Sequence, residues 1–320
     1  MTDNIYLSFK NVSKAFPVKT GTWIKKTAWL KAVDRVSLDL KKGETMGLVG
    51  ESGCGKSTLG KIACGLEKIS QGTVILDGEE VGSSTDLLKS RKIQMIFQDP
   101  FSSLNPRQKI ENIISEPLKI HKFGSRADIR HKVIELLDKV GLSQSHTSRY
   151  AHEFSGGQRQ RIAIARAIAL DPDMVICDEP VSALDVSVQA QILKLLKKLQ
   201  KDLNLSYMFI SHDLSVVKYL CSRVAVMYLG QLVETADKND LYNNPCHPYT
   251  KALLASIPIP DPEIKSRSLI TSSEPPNPLD PPQGCYFHPR CPEKMDICDQ
   301  KKPKWTEISS GQSVRCFLYE

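Results

Sequence analysis

The residues best suited to chemistry in this chain form one short glycine-rich run. Gly50-Glu51-Ser52-Gly53-Cys54-Gly55-Lys56-Ser57-Thr58 matches the pattern G-x-x-x-x-G-K-[ST] without a mismatch. Glycines let a backbone fold around an anion with its N–H groups pointing inward, and the helix predicted to follow adds its positive end. We expect Lys56 to meet the β- and γ-phosphates of a nucleotide and the hydroxyl of Ser57 to bind Mg²⁺.

Two carboxylates follow an apolar run further along the chain. Met174 to Cys177 is predicted to be a buried strand, and Asp178 and Glu179 come directly after it. A carboxylate at a strand tip can hold Mg²⁺ through its water shell, which is the role expected for Asp178. Glu179 is placed to orient or deprotonate an attacking water. Two acids at a strand end indicate little alone, but beside the glycine-rich run they favour chemistry on a nucleotide.

A third feature separates this chain from other proteins with such a phosphate-binding loop. The run Phe154-Ser155-Gly156-Gly157-Gln158-Arg159-Gln160-Arg161 opens an alanine-rich helix. A serine and two glycines at a helix start form a second anion site. One chain with two phosphate-binding helix ends indicates a nucleotide held between two subunits.

Short apolar runs alternate with stretches of helical periodicity, which is typical of an α/β fold with a largely parallel sheet. The expected strands are Met46 to Val49, Ile93 to Phe97, Met174 to Cys177, Tyr207 to Ile210 and Val224 to Tyr228, and the expected helices are Asp128 to Val140, Gln160 to Leu170 and Val188 to Leu203. The opening of the chain, to about Leu76, is expected to form an added antiparallel β subdomain with a polar loop between Phe16 and Ala32.

The overall composition is that of an ordinary soluble globular protein. The chain has 320 residues, 41% of them hydrophobic and 25% charged, with a net charge of +7. No stretch approaches the ~18 uncharged apolar residues of a membrane helix, and the start lacks the pattern of a signal peptide. The nine cysteines are therefore expected to be reduced thiols or metal ligands.

The composition changes near residue 256, where we expect a boundary between a domain of residues 1–255 and an extension of residues 256–320. Eight prolines fall between residues 258 and 282, followed by Cys285, Cys291, Cys298 and Cys316 in the pattern C-x5-C-x6-C-x17-C. The proline-rich segment is expected to run extended. The cysteine spacing lacks the close pairs of many structural zinc sites and also the usual ferredoxin pattern.

The third feature brings a family resemblance with it. Ser155 to Gln158 match the S-G-G-Q signature of the ATP-binding cassette (ABC) ATPases, and the family's other landmarks follow in order. Gln98 looks like the Q-loop glutamine, Ser182-Ala183-Leu184-Asp185 like the D-loop and His212 like the switch histidine. Phe16 is the best match for the aromatic residue that stacks on adenine, with Trp29 as the alternative. The resemblance covers roughly residues 5–250.

The resemblance implies a fold, two cofactors and a set of roles. The fold is a P-loop cassette with a RecA-like parallel sheet, an antiparallel β subdomain and a helical subdomain. ATP is bound by Gly50 to Thr58 of one subunit and by Ser155 to Gln158 of another, with Asp185 nearby. Glu179 is the general base, His212 contacts the γ-phosphate, and Mg²⁺ involves Ser57, Gln98 and Asp178. Gln98 also lies at the groove that receives a membrane partner.

Three further segments resemble the ATP-binding subunits of dipeptide and oligopeptide importers, including nickel relatives. They are Gln98 to Arg107, His247 to Leu254 and the cysteine-bearing tail. The implied partners are a second ATPase subunit, related or identical, two transmembrane permease subunits and an extracytoplasmic binding protein. The implied location is peripheral, on the cytoplasmic face of the cell membrane. Peptide cargo is favoured over a nickel or other metal-chelate cargo. Some members of this subfamily hold a [4Fe–4S] cluster on four such cysteines, so Cys285, Cys291, Cys298 and Cys316 are its expected ligands, with Zn²⁺ or free thiols as alternatives.

Two other functions are considered. A soluble ABC ATPase acting on nucleic acid or the ribosome would carry long coiled-coil insertions or two cassettes in one chain, and neither is present. No nucleic-acid partner is therefore expected. A small-molecule P-loop kinase would not need Ser155 to Gln158.

Overall fold

A computed structural model describes residues 4–20, 26–81, 87–99, 103–257 and 274–320. The strands are Ile5–Thr20 (β1), Lys26–Lys41 (β2), Thr45–Val49 (β3), Gln71–Leu76 (β4), Glu79–Glu80 (β5), Ile93–Ile96 (β6), Met174–Asp178 (β7), Ser206–Ser211 (β8), Arg223–Tyr228 (β9), Gln231–Asp237 (β10), Thr306–Ser309 (β11) and Gln312–Val314 (β12). The α-helices are Lys56–Ala63 (α1), Leu87–Lys92 (α2), Ile110–Ile120 (α3), Arg126–Lys139 (α4), Gly156–Ala167 (α5), Val186–Leu203 (α6), Leu214–Leu220 (α7), Lys238–Asn243 (α8) and Pro248–Ala255 (α9). Short 3-10 helices cover Gln144–Ser148, Ala151–Glu153, His288–Arg290, Asp296–Asp299 and Phe317–Tyr319.

The main sheet has the strand order β11-β12-β10-β9-β3-β8-β7-β6. Strands β6, β7, β8, β3 and β9 pair in parallel, whereas β9, β10, β12 and β11 pair antiparallel. The expected α/β fold with a parallel sheet is confirmed. Because parallel strands in such folds expose their carboxyl ends at one edge, the loops that follow β3, β6, β7 and β8 come together there.

A second, antiparallel sheet of order β2-β1-β4-β5 forms the expected β subdomain. The predicted polar loop between Phe16 and Ala32 is wrong for the described residues on either side of 21–25. There β1 and β2 continue as paired strands, from Phe16 opposite Leu30 to Thr20 opposite Lys26. A hairpin that needs only backbone pairing can extend into solvent without an apolar face, so hydrophobic alternation does not reveal it.

The core lies on both faces of the main sheet. In β8, Tyr207 and Phe209 pack in the cluster that contains α3 to α6, while Met208 and Ile210 pack in the cluster that contains α1 and the β subdomain. This alternation follows from the two-residue repeat of a strand. Among the described residues, no helix has the length and apolar character needed to cross a membrane.

The helices follow local signals in the sequence. Helix α5 begins at Gly156, four residues before the predicted start, because Ser155 caps it. Helix α6 buries Ile192, Leu195 and Leu199 along one side, as its spacing predicts, and ends at Asn204 in the left-handed conformation.

Candidate nucleotide site

The glycine-rich loop connects β3 to α1 at the carboxyl edge of the parallel sheet. Gly50 has φ +150° and Gly55 has φ +108°, and an added Cβ would approach the carbonyl oxygens of Met227 and Ala32 to 2.1 and 2.0 Å, respectively. No other residue fits such contacts, which explains both glycines. Ser52 and Gly53 are exposed at the loop surface, and Cys54 is buried.

Lys56 crosses this loop from the first turn of α1. Its Nζ donates to the carbonyl oxygens of Gly50 and Glu51 at 2.7 and 2.8 Å and lies 3.7 Å from Sγ of Cys54. The side chain is buried, so the ammonium is held in the loop before any phosphate enters. A preformed cation in a glycine-rich loop at the start of a helix is the arrangement expected for binding polyphosphate.

The oxygens predicted to hold Mg²⁺ lie next to each other. Ser57 Oγ donates to Oδ1 of Asp178 at 2.8 Å, which joins the start of α1 to the last residue of β7. Burial raises the pKa of Asp178 above its ordinary value, despite the hydrogen bond from Ser57. A hydroxyl and a carboxylate with room for water are ligands that suit Mg²⁺. Thr58 follows in α1, half-buried.

Three residues from three different loops meet beyond the tip of β7. Gln98 Nε2 donates to Oε2 of Glu179 at 3.1 Å, and His212 Nδ1 lies 3.1 Å from the same oxygen. Glu179 has a left-handed backbone with φ +45°, and its N–H donates to the carbonyl oxygen of Ile210 at 3.0 Å. The strain of that backbone directs the carboxylate toward its partners. The structure thus brings together three predicted catalytic residues.

The serine–glycine helix tip has a different environment. Ser155 Oγ accepts from the N–H of Gln158 at 3.4 Å, and Gln158 Oε1 accepts from the N–H of Ser155 at 3.1 Å. A Cβ on Gly157 would lie 2.5 Å from Val188 of α6, so that glycine allows close packing. Ser155 is exposed, and Gly156 follows it, half-buried, in the first turn. The tip is a capped helix start whose serine is exposed to solvent.

Asp185 lies at the start of α6, next to the same region of the chain. It is exposed, and its carbonyl oxygen accepts from the N–H of Gln189 at 2.8 Å. Its side chain makes no capping hydrogen bond to α6 among the described residues, although aspartate is a favoured capping residue.

Comparisons with known proteins agree with this geometry. Residues 33–182 match the model of the ABC transporter family, and residues 233–298 match the C-terminal region of oligopeptide/dipeptide transporters. The oligopeptide transport ATP-binding protein AppF of Bacillus subtilis is 49% identical over 98% of this chain and 97% of its own length. The dipeptide transport ATP-binding protein DppF of Escherichia coli is 47% identical over 97% of this chain and 93% of its own. The chain belongs to the ABC transporter family. It is an ATP-hydrolysing subunit of the oligopeptide/dipeptide branch.

Solved structures give the same fold. CbiO1 of Clostridium perfringens, part of an ABC transporter complex, superposes with a TM-score of 0.64 at 25% identity and covers 75% of this chain and 92% of its own. A dimeric ATP-binding cassette in a post-hydrolysis state with ADP and Pi superposes with a TM-score of 0.63 at 29% identity, covering 72% and 98%. The cassette fold implied by the sequence is confirmed.

In this ABC subunit the adenine contact stays a prediction. Phe16 is half-buried in β1 with the ammonium of Lys14 4.7 Å from its ring centre, whereas Trp29 is 60% exposed in β2. Because Phe16 pairs with Leu30 and Pro17 with Trp29, both aromatic residues lie on the same part of the β subdomain.

The four tail cysteines lie near one another in the ABC subunit. The N–H of Cys285 donates to the carbonyl oxygen of Cys298 at 2.8 Å. Burial raises the pKa of Cys291 to about 11 and that of Cys316 to about 12, and the neighbouring cysteines contribute to both shifts. Within the described ranges, however, no three His, Cys, Asp or Glu side chains are arranged to hold one metal ion.

Sequence reasoning missed two residues that contact the phosphate-binding loop. Arg290 of the tail pairs with the carboxylate of Glu51, and the hydroxyl of Tyr249 accepts from the N–H of Glu51. Both belong to segments that resemble the peptide-importer subfamily, namely His247 to Leu254 and the tail. Their location in those two segments was the one sequence signal for a functional role, because no local sequence pattern links Arg290 or Tyr249 to the phosphate-binding loop.

Proposed function

We propose that this chain powers the import of dipeptides or oligopeptides through a membrane ABC transporter by binding and hydrolysing ATP. The observation that carries the proposal is the cluster at the sheet edge, where Gln98 and His212 both meet the carboxylate of Glu179 beside the Ser57–Asp178 pair. The names of the relatives AppF and DppF support the choice of peptide cargo.

The proposed roles follow from the geometry. Lys56 neutralises charge on the phosphates, and the backbone N–H groups from Gly50 to Thr58 surround them. Ser57 and Asp178 hold Mg²⁺, with Gln98 nearby, and the ion when bound neutralises phosphate charge. Glu179 accepts a proton from the attacking water, while His212 orients the γ-phosphate end of ATP. Catalysis on this scheme consists of positioning and charge neutralisation.

Two subunits complete each nucleotide site in this proposal. Ser155 to Gln158 of a second cassette, related or identical, contact the phosphates opposite Lys56, and Asp185 lies near that contact. The support is the exposed, capped helix tip, whose hydroxyl and amide caps are satisfied within the chain and whose front is open. The solved relative with ADP and Pi is itself dimeric.

The proposed membrane partners are two permease subunits, with an extracytoplasmic binding protein delivering the cargo. The chain would then lie peripherally on the cytoplasmic face of the cell membrane. A groove of about 560 Å³ lies beside Gln98, and its lining is mainly apolar: Cys64, Leu66, Ile93, Met95, Phe97, Pro117 and Ile120 belong to it. Such a groove suits a short amphipathic helix of a permease.

We also propose that Cys285, Cys291, Cys298 and Cys316 ligate a [4Fe–4S] cluster, with Zn²⁺ as the alternative. Thiolates are the usual ligands of both. Nε of Arg315 is buried beside this region without a hydrogen-bond partner among the described residues, so its charge suits an anionic neighbour. We further propose that residues 1–255 form the ATP-binding domain and residues 256–320 an extension, whose chain the cluster would cross-link.

Reconstitution tests the function. The chain, the second ATPase subunit of the transporter, the two permeases and the binding protein are placed in vesicles, and ATP hydrolysis and uptake are followed with trialanine or a nickel–histidine chelate. Stimulation and uptake with the peptide are expected. Stimulation by the chelate alone would overturn peptide cargo, and absence of hydrolysis with either would overturn the ATPase role.

Metal analysis tests the tail. Anaerobically purified protein is expected to contain about four iron and four sulfide per chain. Cys298→Ser should lower that content, whereas Cys64→Ser, outside the tail, should not. Finding one zinc and no iron per chain would show a zinc site instead of the cluster. Finding neither iron nor zinc would contradict both metal sites.

A further inference from the structure

The tail reaches the phosphate-binding loop through one buried arginine. Arg290 lies in the 3-10 helix His288–Arg290 and is only 3% exposed. Its Nη1 and Nη2 donate to Oε2 and Oε1 of Glu51, both at 2.8 Å. Two parallel hydrogen bonds between a guanidinium and a carboxylate fix both distance and orientation. Such a contact restrains the loop as well as the side chain.

Aromatic side chains hold the arginine in place. Tyr228, Tyr249 and Phe287 are fully buried and their ring centres lie 4.7 to 5.4 Å apart. The guanidinium lies 5.9 Å from the ring centre of Tyr228, and Nη1 lies 3.5 Å from its hydroxyl. This packing comes from the main sheet, from α9 and from the tail at once. Arg290 therefore has little freedom to leave Glu51.

Glu51 is restrained at three separate groups. Its carboxylate accepts from Arg290, its N–H donates to Tyr249 Oη at 2.8 Å, and its carbonyl oxygen accepts from Lys56 Nζ at 2.8 Å. The same residue thus connects the tail to the lysine expected to meet the phosphates. The arginine also neutralises a carboxylate that would otherwise repel an incoming triphosphate.

We propose that Arg290 is a positioning residue of the nucleotide site, which acts through Glu51 to fix the phosphate-binding loop and Lys56, with Tyr249 as a second support. This rests on the proposed binding of ATP at Gly50 to Thr58. The C-terminal region of this chain thereby gains a structural task in ATP binding, and any change that moves residues 285–291 reaches the loop.

A double-mutant cycle tests the proposal in the full chain. Arg290→Gln, Glu51→Gln and the double variant are compared by ATP dissociation constant and by melting temperature. We expect Arg290→Gln to weaken ATP binding about tenfold in the native background and less than about twofold when Glu51 is already Gln. KM for ATP should rise more than kcat falls, because Glu179 is untouched. An equal loss in both backgrounds, or no loss in either, would overturn the proposal.

Further variants keep the test decisive if Arg290→Gln does not fold. Tyr249→Phe removes only the hydroxyl and should weaken ATP binding about threefold, the size expected for one neutral hydrogen bond. Arg290→Lys should rescue only partly, since an ammonium lacks the planar fork that makes two parallel hydrogen bonds to a carboxylate. Lys251→Met is the matched control. Nζ of Lys251 in α9 donates to Oε1 of Glu293 in the same tail at 3.1 Å, and this contact does not involve the phosphate-binding loop. The variant should therefore leave ATP affinity unchanged. Unchanged affinity in Tyr249→Phe would contradict the proposal, whereas a native chain that does not bind ATP would refute the proposed function instead.

Discussion

The two phosphate-binding helix ends of this chain are built in different ways. The loop before α1 is held by distant segments: the N–H of Gly230 donates to Cys54, Tyr249 and Arg290 hold Glu51, and Asp178 accepts from Ser57. The tip before α5 is held by its own residues, since Ser155 and Gln158 cap each other. The loop before α1 is held by hydrogen bonds from distant segments, whereas the capping hydrogen bonds of the tip before α5 come from its own first turn.

This difference fits the roles proposed for the two ends. A loop that must wrap a triphosphate has several left-handed glycines and a buried cation, so it needs outside support to keep its shape. A helix tip that meets phosphate from across an interface needs only a satisfied cap and an open front. The unequal support is therefore what is expected of two halves of a site completed by different chains.

The largest effect is expected at the carboxylate beside the supported loop. Glu179→Gln keeps hydrogen bonds to Gln98 and His212 but cannot accept the proton, so hydrolysis should fall at least about 100-fold while ATP stays bound. The closed dimer should accumulate, as seen by light scattering with ATP. Glu135→Gln serves as the control, because Glu135 is a half-buried acid on α4 that pairs with Lys132 and Lys139. Hydrolysis at the native rate in Glu179→Gln would show that another group is the base.

A second effect is expected in the segment that supports the loop. His247 is buried, and its Nδ1 accepts from the N–H of Tyr249 at 3.0 Å. Burial, and to a smaller extent the charge of Lys251, lowers its pKa from 6.5 to about 3. Below pH 6.5 the unfolded chain takes up a proton that the folded chain refuses until about pH 3. The free energy of unfolding therefore falls as the pH drops through this range.

His247→Asn keeps an acceptor at the helix start and removes this titration. Between pH 7.5 and pH 5, the native chain should lose about 2 kcal/mol more unfolding free energy than the variant, measured by urea denaturation. An equal loss in both chains would mean that His247 is protonated when folded. In either chain the tip before α5 should be unaffected, because its cap lies elsewhere.

The smallest effect is expected at the locally held tip. Ser155→Ala removes the side-chain cap and should cost about 1 kcal/mol of unfolding free energy. Ser125→Ala is the matched variant, because Ser125 and Asp128 form the same reciprocal cap at the start of α4. Both should cost similar amounts by urea denaturation. A much larger loss at Ser155 would indicate that the tip depends on more than its reciprocal cap.

Much of the supported loop could be predicted from the sequence, since its chemistry is written in consecutive residues. The strands β3, β7 and β8 are continuous apolar runs, and Asp178 is the final residue of β7 as expected. The meeting of Gln98, Glu179 and His212 was also foreseeable, because the ends of parallel strands share an edge. Their catalytic roles stay predictions.

The tail's place in the fold could not be predicted in the same way. Strand β12 joins the main sheet by pairing Val314 with Glu234 of β10, and Arg290 contacts Glu51 across 239 residues of sequence. Both contacts are long-range pairings without a local period or motif. Glu234 of β10 is buried, and its carboxylate accepts from the N–H groups of Cys246 and His247 and from Nε2 of Gln312. Because Gln312 belongs to β12, these hydrogen bonds help to hold β12 beside β10. Only the folded chain reveals such a network.

The central claim is that each nucleotide site is shared between two chains, one providing the glycine-rich loop and the other the tip before α5. The variant Ser155→Asp tests this claim most directly. Aspartate caps a helix as well as serine does, so α5 and the melting temperature should be retained, as in the control Ser125→Asp. The isolated chain should bind ATP with native affinity, while hydrolysis by the assembled transporter should fall at least about tenfold, since the new carboxylate repels the partner-bound phosphates. Native hydrolysis in the assembled transporter, or weakened ATP binding by the isolated chain, would contradict a site shared between subunits.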